Sequence, residues 1–421
     1  MRHFFFAENQ RIVPLSKPCP TIPKYSYKPM KIGLLTFHFS ENWGAVFQAY
    51  ALRAWLRSCG EDAEFASYHP RYVEEGKFTA SPSVDGMKRN AKSAFLQFAR
   101  LRSSLFNKDS LDDLEGFRVK HLGLSNTPLR SKALLEDAEC DFDLLICGSD
   151  QIWNPSQQFG LDPVYFCNYR SSARRRISYA ASFGSSSLPP EFHAELKEHL
   201  TALDAISVRE EAGAEFAQTI IGQPVQCMPD PTFLLDNYND LLDTNSVVQE
   251  GAIFAYVLRS GTGFPKLSQE LAKTLGTSVV SGFNPLRRWK QIGTPVPGGP
   301  CAWLSNLKAS KLVLTNSFHA TVFSILFNRP FVAVRLPGTK AKLSNRLENL
   351  LDSVGLSSRM IEANQVERAR ELALEPIEWS TVNEAVSAMR LKGQAYLREN
   401  IVACSAMSVA SMDEGMAHER A

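Results

Sequence analysis

The feature that most constrains the fold is a repeated alternation of short apolar runs with amphipathic stretches of helical length. Residues 31–37 form an apolar run that ends in a polar loop, as buried strands do. Residues 44–57 then carry apolar side chains at helical spacing, Gly60 suits a helix end, and residues 63–68 form a second run. This strand–helix–strand order predicts a parallel sheet.

The same alternation continues along the chain, pauses in a polar segment at 236–250 and then starts again. Further strands are predicted at 142–147, 176–183, 205–208, 225–228, 252–258, 277–280, 311–315 and 331–334. Further helices are predicted at 86–106, 109–121, 191–203, 210–220, 265–275, 303–309, 318–327, 344–354 and 381–399. We therefore expect an α/β protein with domains at 30–240 and 250–375, a ligand-binding cleft between them, and a C-terminal helix at 376–400.

The two ends of the chain lack this alternation. Four prolines between residues 14 and 23 interrupt any periodicity, and the first apolar run begins just after Met30. We expect residues 1–29 to be a disordered extension, or translation to start at Met30. The sequence turns polar and aperiodic near its other end, so a disordered tail is expected at 401–421.

The composition excludes several classes of protein. Lys plus Arg total 46 and Asp plus Glu 44, and a net charge of +2 gives no support to a nucleic-acid-binding protein. No apolar run reaches the roughly 18 residues of a membrane-spanning helix. The eight cysteines are scattered without CxxC or zinc-ligand spacing, which predicts reduced thiols, a cytoplasmic location and no metal site.

Polar residues follow two predicted N-terminal strands, where parallel sheets build ligand sites. After the first strand, Asn42 and Gly44 open a helix whose backbone amides suit a phosphate or carboxylate. After the strand at 142–147 come Asp150, Trp153 and Asn154. Both loops have a structural alternative, in which the polar side chains only cap local backbone groups.

Three more segments are candidates for binding or catalysis. Arg209 leaves a buried strand and suits an anionic group, the alternative being an ion pair with a following glutamate. Ser317 and His319 open an apolar helix, where a bound phosphate would favour the imidazolium that the helix end disfavours, the alternative being a histidine with a purely structural role. Lys342 and Arg346 belong to a basic segment that is either a cation source or a solvated surface.

Six blocks in this order resemble the polysaccharide pyruvyl transferase family. They are residues 31–52, 142–155, 178–184, 207–210, 230–232 and 315–321. Each block alone is weak evidence of a resemblance, but six blocks in the right order are specific to the family. The resemblance covers about residues 31–355.

The resemblance implies two Rossmann-like domains facing a cleft, a glycosyltransferase-B-like fold. It implies transfer of a pyruvyl group from phosphoenolpyruvate to a sugar of a surface or extracellular polysaccharide, with ketal formation and phosphate release. The acceptor would be a sugar or a lipid-linked or nucleotide-linked oligosaccharide, and peripheral contact with the inner membrane is a further expectation. No cofactor beyond this co-substrate and no nucleic-acid partner is expected.

The resemblance also assigns roles to individual residues. His319 matches the family's histidine and is predicted to be catalytic, as an acid/base or a phosphate ligand. The predicted donor-binding residues are Arg209, Asn42, Gly44, Ser317, Arg346 and Lys342. The predicted acceptor-binding residues are Asp150, Trp153 and Asn154.

The chain departs from the family's pattern beside that histidine. Many members carry an Arg-Leu-His triplet where this chain has Ser317-Phe318-His319. One phosphate-binding cation is therefore absent there, and Arg346 or Lys342 is expected to replace it. Two other functions are considered: a nucleotide-sugar glycosyltransferase of the same fold, which needs an acidic ribose-binding residue, and a non-catalytic glycan-assembly protein.

Overall fold

The protein is described here by a computed structural model. It describes residues 29–76, 78–80, 83–106, 108–124, 127–138, 140–243, 248–258, 263–282, 292–336 and 345–418. The extension predicted at 1–29 lies outside these residues except for its last position, and so does Lys342.

The N-terminal lobe is built on a parallel sheet. Its strands are β1 (Lys31–Leu35), β2 (Asp62–Phe65), β3 (Leu144–Cys147), β4 (Arg175–Ser178), β5 (Ser207–Val208) and β6 (Gln226–Cys227). Four of them pair in the order β2-β1-β3-β4, and β5 pairs with β6 and meets the chain around β4 through parallel bridges. The direction of strand order reverses between β1 and β3, where open sheets of this kind bind ligands.

Helices cover this sheet and form the outer part of the lobe. They are α1 (Trp43–Ser58), α2 (Arg71–Glu75), α3 (Val84–Phe106), α4 (Lys108–Phe117), α5 (Lys132–Asp137), α6 (Pro155–Gln158), α7 (His193–Thr201) and α8 (Glu211–Ile221). A π-helical turn at Arg118–Leu122 continues α4. All four residues of β3 are apolar and buried, which is expected of a strand covered on both faces.

The C-terminal lobe is a second parallel sheet with the Rossmann strand order. Its strands are β7 (Ile253–Tyr256), β8 (Val279–Gly282), β9 (Thr294–Val296), β10 (Leu312–Thr315), β11 (Phe331–Val334) and β12 (Met360–Ile361). They pair in the order β12-β11-β10-β7-β8-β9. The switch point of this sheet therefore lies between β7 and β10.

Five helices belong to this second sheet. They are α9 (Phe264–Leu275), α10 (Pro300–Ala309), α11 (Phe318–Leu326), α12 (Asn345–Ser353) and α13 (Val366–Leu374). All residues of α11 from His319 to Ile325 are buried. The nearly uniform apolar sequence of this helix predicted that burial. The α/β class with two Rossmann-like domains is confirmed.

A long helix, α14 (Trp379–His418), returns from the second lobe to the first. The hydroxyl of Tyr396 donates to the carbonyl of Ser178, and Arg175 donates to the Asn400 side chain at 2.9 Å. The prediction that the helix ends at 400 and a disordered tail follows is wrong. Ile401 and Cys404 are buried in the core, and the residues after them are mostly good helix formers.

The lobes also meet through buried aromatic side chains. The ring of Phe47 on α1 lies 4.9 Å from Phe323 on α11 and 5.6 Å from Trp303 on α10, centroid to centroid. Phe47 and Phe323 have no exposed surface. The starts of α1 and α11, each of which follows a strand at a switch point, are therefore held against each other.

Candidate functional site

The loops after β1 and β3 are locked together by one buried glutamine. The side-chain amide of Gln48 donates to Thr36 Oγ1 at 2.9 Å and accepts from the backbone N–H of Ser149 at 3.1 Å. Thr36 in turn donates to the carbonyl of Ser149 at 2.9 Å. This network fixes the backbone on which Gly44 and Asp150 are carried.

His319 lies at the switch point of the other sheet, in the first turn of α11. The loop before it is tied down because Ser317 caps the helix, accepting from the backbone N–H of Ala320 at 3.4 Å. The side chain of Asn316 also accepts from the backbone N–H of Leu258, which follows β7. His319 is 7% exposed, and so it is held almost wholly within the protein.

Gly44 is in direct contact with the His319 ring. A Cβ atom on Gly44 would lie 2.0 Å from Nδ1 of the imidazole, closer than any side chain can come. Residue 44 must therefore be glycine for the ring to keep this place. Asn42 caps α1 by accepting from the Gly44 backbone N–H at 3.1 Å, so the structure gives it the capping role considered from the sequence.

The opposite edge of the imidazole faces Asp230. The Nε2 atom of His319 lies 3.5 Å from Asp230 Oδ2, long for a hydrogen bond but within ion-pair reach. The other carboxylate oxygen, Oδ1, accepts from the backbone N–H and the hydroxyl of Thr232 at 3.0 and 2.7 Å. Asp230 has no exposed side-chain surface, and these bonds leave it a single orientation.

Asp230 is held as a carboxylate in spite of its burial. Burial by itself would raise the pKa of this group. The neighbouring His319, with Arg209 and the backbone N–H of Thr232, outweighs burial and keeps the pKa well below its ordinary value.

Arg209 binds Oδ2 of Asp230, the oxygen that also faces His319. Its Nη1 donates to Asp230 Oδ2 at 2.9 Å, and its Nε donates to Glu210 Oε1 at 3.3 Å. The guanidinium also lies over the Phe318 ring at 4.9 Å. The ion pair considered from the sequence is thus present, with Asp230 as a second partner that the sequence analysis did not name.

One terminal nitrogen of Arg209 is buried without a hydrogen-bond partner among the described residues. This atom is Nη2, and Glu210 Oε2 also has no hydrogen-bond partner in the described part of the chain. Burial by itself would lower the pKa of Arg209, but the carboxylates of Glu210 and Asp230 raise it above its ordinary value. The predicted donor contact of Arg209 stays a prediction, and the side chain also positions Asp230.

Arg346 brings a second guanidinium from α12 to the same place. The side-chain amide of Gln151, in the loop after β3, lies 2.8 and 2.9 Å from its two terminal nitrogens, and its oxygen accepts from both when it faces them. Burial and the positive charge of Arg209 lower the pKa of Arg346 to about 10. A cation whose protonation is disfavoured by a neighbouring cation is stabilised by a bound anion.

The three predicted acceptor residues have different surroundings. Asp150 is half-buried, adopts a left-handed backbone conformation with φ +70°, and raises the pKa of Arg209 with the carboxylates already named. Asn154 caps α6, and its side-chain amide lies 2.8 Å from the side-chain amide of Gln151. Asp150 therefore belongs to the charged group around the arginines. Asn154 contacts Gln151, which in turn contacts Arg346.

The surroundings of Trp153 do not fit its predicted role in acceptor binding. It has no exposed surface, its indole N–H donates to the Tyr165 carbonyl at 2.8 Å, and its ring stacks on Phe166 at 4.9 Å. A side chain that is fully enclosed and already hydrogen-bonded has no face for a sugar. The apolar environment of a parallel-sheet lobe explains this placement better than acceptor binding does.

Three site residues were not predicted: Asp230, Glu210 and Gln151. Each stands in a block already noted from the sequence, directly after a strand or beside a predicted site residue. The available signal was their position at carboxyl strand ends. The charged pairing itself depends on contacts across 21 to 89 residues of chain, which no local pattern contains.

The described part of the chain has no group of three or more His, Cys, Asp or Glu side chains placed to hold a metal ion. Within the same residues, no helix has both the length and the apolar character needed to cross a bilayer. Cys147 and Cys167 are buried thiols of the N-terminal core.

Several solved structures are similar to this chain at low sequence identity. The UDP-N-acetylglucosamine 2-epimerase from Rickettsia bellii is 10% identical, with 90% of this chain and 98% of that chain covered and a TM-score of 0.46. AviGT4, a glycosyltransferase involved in avilamycin A biosynthesis, is 12% identical over 90% and 99%, with a TM-score of 0.45. A putative epimerase from Listeria monocytogenes is 11% identical over 86% and 96%, with a TM-score of 0.44.

At the level of sequence families the match is specific. No curated protein matches the sequence. The model of the family described as polysaccharide pyruvyl transferase matches residues 42–336, a range that runs from the cap of α1 past the end of β11. That range includes Gly44, Arg209, Asp230 and His319 and covers well over half of the 421 residues. The chain belongs to the polysaccharide pyruvyl transferase family.

Proposed function

We propose that the protein transfers a pyruvyl group from phosphoenolpyruvate to a sugar of a surface or extracellular polysaccharide, forming a cyclic ketal and releasing phosphate. The observation that carries this proposal is the position of His319. It is held between Asp230 and Gly44, beside two arginines and between the switch points of both sheets. Family membership supports a transferase of this kind.

The reaction needs proton transfer at two places. One sugar hydroxyl adds to C2 of the enol while C3, the methylene carbon, takes up a proton and becomes a methyl group. A second hydroxyl of the same sugar then displaces phosphate from C2, and its proton leaves with the base or the phosphate. His319 is the proposed acid and base for these steps, and the Asp230 carboxylate stabilises the imidazolium each time it forms.

The donor carries a phosphate and a carboxylate, so its binding requires cations. Arg346 and the unpartnered Nη2 of Arg209 are the described groups that supply them at this site. In this proposal Arg346 takes the place of the arginine that many family members carry at the position of Ser317. Ser317 itself is buried as a helix cap, and its hydroxyl is committed to α11.

The proposed acceptor is a lipid-linked or nucleotide-linked oligosaccharide in the cytoplasm, reached with peripheral contact to the inner membrane. The α3 surface supports this contact: Met87, Phe98 and Leu101 are 66%, 65% and 60% exposed. Their spacing of 11 and 3 residues puts them on one helical face. Between residues 84 and 106 the sequence has five Lys or Arg and one acidic residue, which complements an anionic lipid surface.

The decisive experiment incubates the protein with phosphoenolpyruvate and a panel of lipid-linked and nucleotide-linked sugars, and scores free phosphate and product mass. We expect phosphate release that depends on one acceptor, with a product heavier by one pyruvyl ketal. His319→Ala should lower this activity by about 10²–10⁴-fold with the fold retained. Wild-type product formation by His319→Ala would overturn the site assignment, and no phosphate release with any acceptor would overturn the function.

A further inference from the structure

The N-terminal lobe contains a second polar cavity outside the site around His319. It has a volume of about 250 Å³, room for about eight water molecules, and lies past the ends of β1 and β2. Its walls include His38, Ser67, His69, Arg118 and Arg130. We refer to it as the N-terminal pocket.

Two arginines with braced side chains set the charge of the N-terminal pocket. Arg118 donates to Glu115 at 3.1 Å and to the carbonyl of Phe39, and Arg130 donates to the carbonyl of His69 at 3.3 Å. Glu115 is the acidic group of the wall, and it is 56% exposed, so solvent screens it more than it screens Arg118 at 13%. The wall therefore has a net positive charge.

His38 lines the same wall and has a buried polar atom without a hydrogen-bond partner among the described residues. The residue is 3% exposed, and the atom is its Nδ1. A buried polar atom without a partner is costly, and a ligand that supplies the missing hydrogen bond recovers that cost. Burial, with the nearby His69 and Arg118, lowers the pKa of His38 to about 3, so the ring is neutral in a positive surrounding.

An aromatic stack keeps this wall in place. The rings of Phe39 and His69 are stacked at 3.9 Å with 12° between their planes, and His38 meets Phe39 edge-on at 5.4 Å. These rings leave an apolar surface beside the cationic groups. A wall with both characters suits a sugar that carries an anionic group.

The N-terminal pocket and the site around His319 share one loop. His38 and Gly44 are six residues apart in the connection between β1 and α1, so at most about 22 Å of extended chain separates them. None of the residues that hold His319 lines the pocket. The two places are thus separate and close enough for one extended substrate.

We propose that the N-terminal pocket binds the phosphate group of a sugar phosphate and, resting on the proposed function, that this group belongs to the carrier of the acceptor. Arg118 and Arg130 would meet the phosphate charge, and Nδ1 of His38 would complete its hydrogen bonds. The sugar would then extend along the shared loop towards His319.

The test measures binding by isothermal titration calorimetry without donor or turnover, using inorganic phosphate, pyrophosphate, N-acetylglucosamine 1-phosphate and N-acetylglucosamine. We expect the sugar phosphate to bind more tightly than inorganic phosphate or pyrophosphate and the uncharged sugar to bind weakest. Arg130→Met and His38→Phe should each weaken sugar phosphate binding by about tenfold or more, since a charge-assisted hydrogen bond contributes about 1.5–3 kcal/mol. Lys132→Met, an exposed neighbour outside the pocket, should leave binding unchanged.

His319→Ala separates this proposal from the proposed function. It should retain sugar phosphate binding while losing transfer. If Arg130→Met, folded by circular dichroism, binds sugar phosphate as well as the wild type, the pocket proposal is overturned. If both pocket variants lose binding but keep the wild-type KM for the acceptor, the phosphate site stands and its link to the acceptor is overturned.

Discussion

Nδ1 of His319 and the α-carbon of Gly44 are packed so closely that a Cβ atom on Gly44 would lie 2.0 Å from the ring nitrogen. The contact joins the first turns of α1 and α11, and through them the switch points of two sheets. The imidazole can therefore keep its position only because residue 44, in the other lobe, has no side chain.

Gly44→Ala should therefore displace the His319 ring and inactivate the enzyme. We expect kcat to fall by about 10²-fold or more, since a shift of about 1 Å in a reacting group has effects of that size. The measurement is phosphate release with phosphoenolpyruvate and the acceptor found by the panel.

Gly116→Ala is the matched control for this change. A Cβ on Gly116, exposed in α4, meets no atom within 4 Å. The variant should keep full activity and gain about 0.5–1 kcal/mol of stability, because alanine is the better helix former. Full activity in Gly44→Ala would show that the ring is not held in the way described.

Asp230→Asn should lower the free energy of unfolding by about 3 kcal/mol. The substitution leaves Arg209 buried with only Glu210 as a partner, and an uncompensated buried charge costs that much. Chemical denaturation followed by fluorescence measures it. Asp236→Asn, whose carboxylate is 59% exposed beside Arg390, should change stability by less than about 1 kcal/mol.

The pH dependence of the same pair gives an independent check. The pKa of Asp230 in the folded protein lies below its ordinary value of 3.8. Its contribution to stability is therefore complete above that value and is lost as the pH falls towards the folded pKa. The stability difference between wild type and Asp230→Asn should shrink below about pH 4. A difference that grows on acidification would contradict the assigned charge.

Most of the fold was predictable because strands and helices of this chain have strong local patterns. The strand predicted at 331–334 matches β11, and the helix predicted at 265–275 differs from α9 by one residue. Strand β12 has two residues and β9 three, too few for any periodicity to appear. The continuation of α14 past residue 400 was missed because the burial of Ile401 and Cys404 depends on packing between distant parts of the chain.

The site was predictable in its parts and not in its pairing. Sequence position alone brought out His319 and Arg209, because both follow strands. Asp230 looked like an ordinary turn residue, and it is a cap, accepting from the Thr232 backbone N–H. Its second oxygen, Oδ2, binds Arg209 of the same lobe and faces His319 of the other lobe. The acceptor-binding role predicted for Trp153 does not fit its burial, since an aromatic residue near a site is more often part of the core.

The α3 surface gives a prediction for membrane contact. The double change Phe98→Ser, Leu101→Ser should weaken binding to vesicles containing phosphatidylglycerol by about tenfold or more, since burying one such side chain contributes about 1.5–3 kcal/mol. Co-sedimentation measures it. Leu391→Ser removes an equally exposed apolar side chain, 62% exposed on α14, and should bind as the wild type does. Equal binding of the double variant would exclude α3 as the contact surface.

Arg346→Gln should raise the KM for phosphoenolpyruvate by about tenfold or more and change kcat less. The reason is that Arg346 supplies a cation for the donor where the chain has Ser317, and a charge-assisted bidentate contact contributes about 1.5–3 kcal/mol. Initial rates of phosphate release at varied donor concentration measure both constants. Arg346→Lys should recover only part of the loss, because lysine keeps the charge but lacks the planar fork. Arg368→Gln removes an arginine paired with Glu371 on the surface of α13, and its KM should equal that of the wild type. An unchanged donor KM in Arg346→Gln would show that Arg346 does not replace the arginine that many family members carry at the position of Ser317.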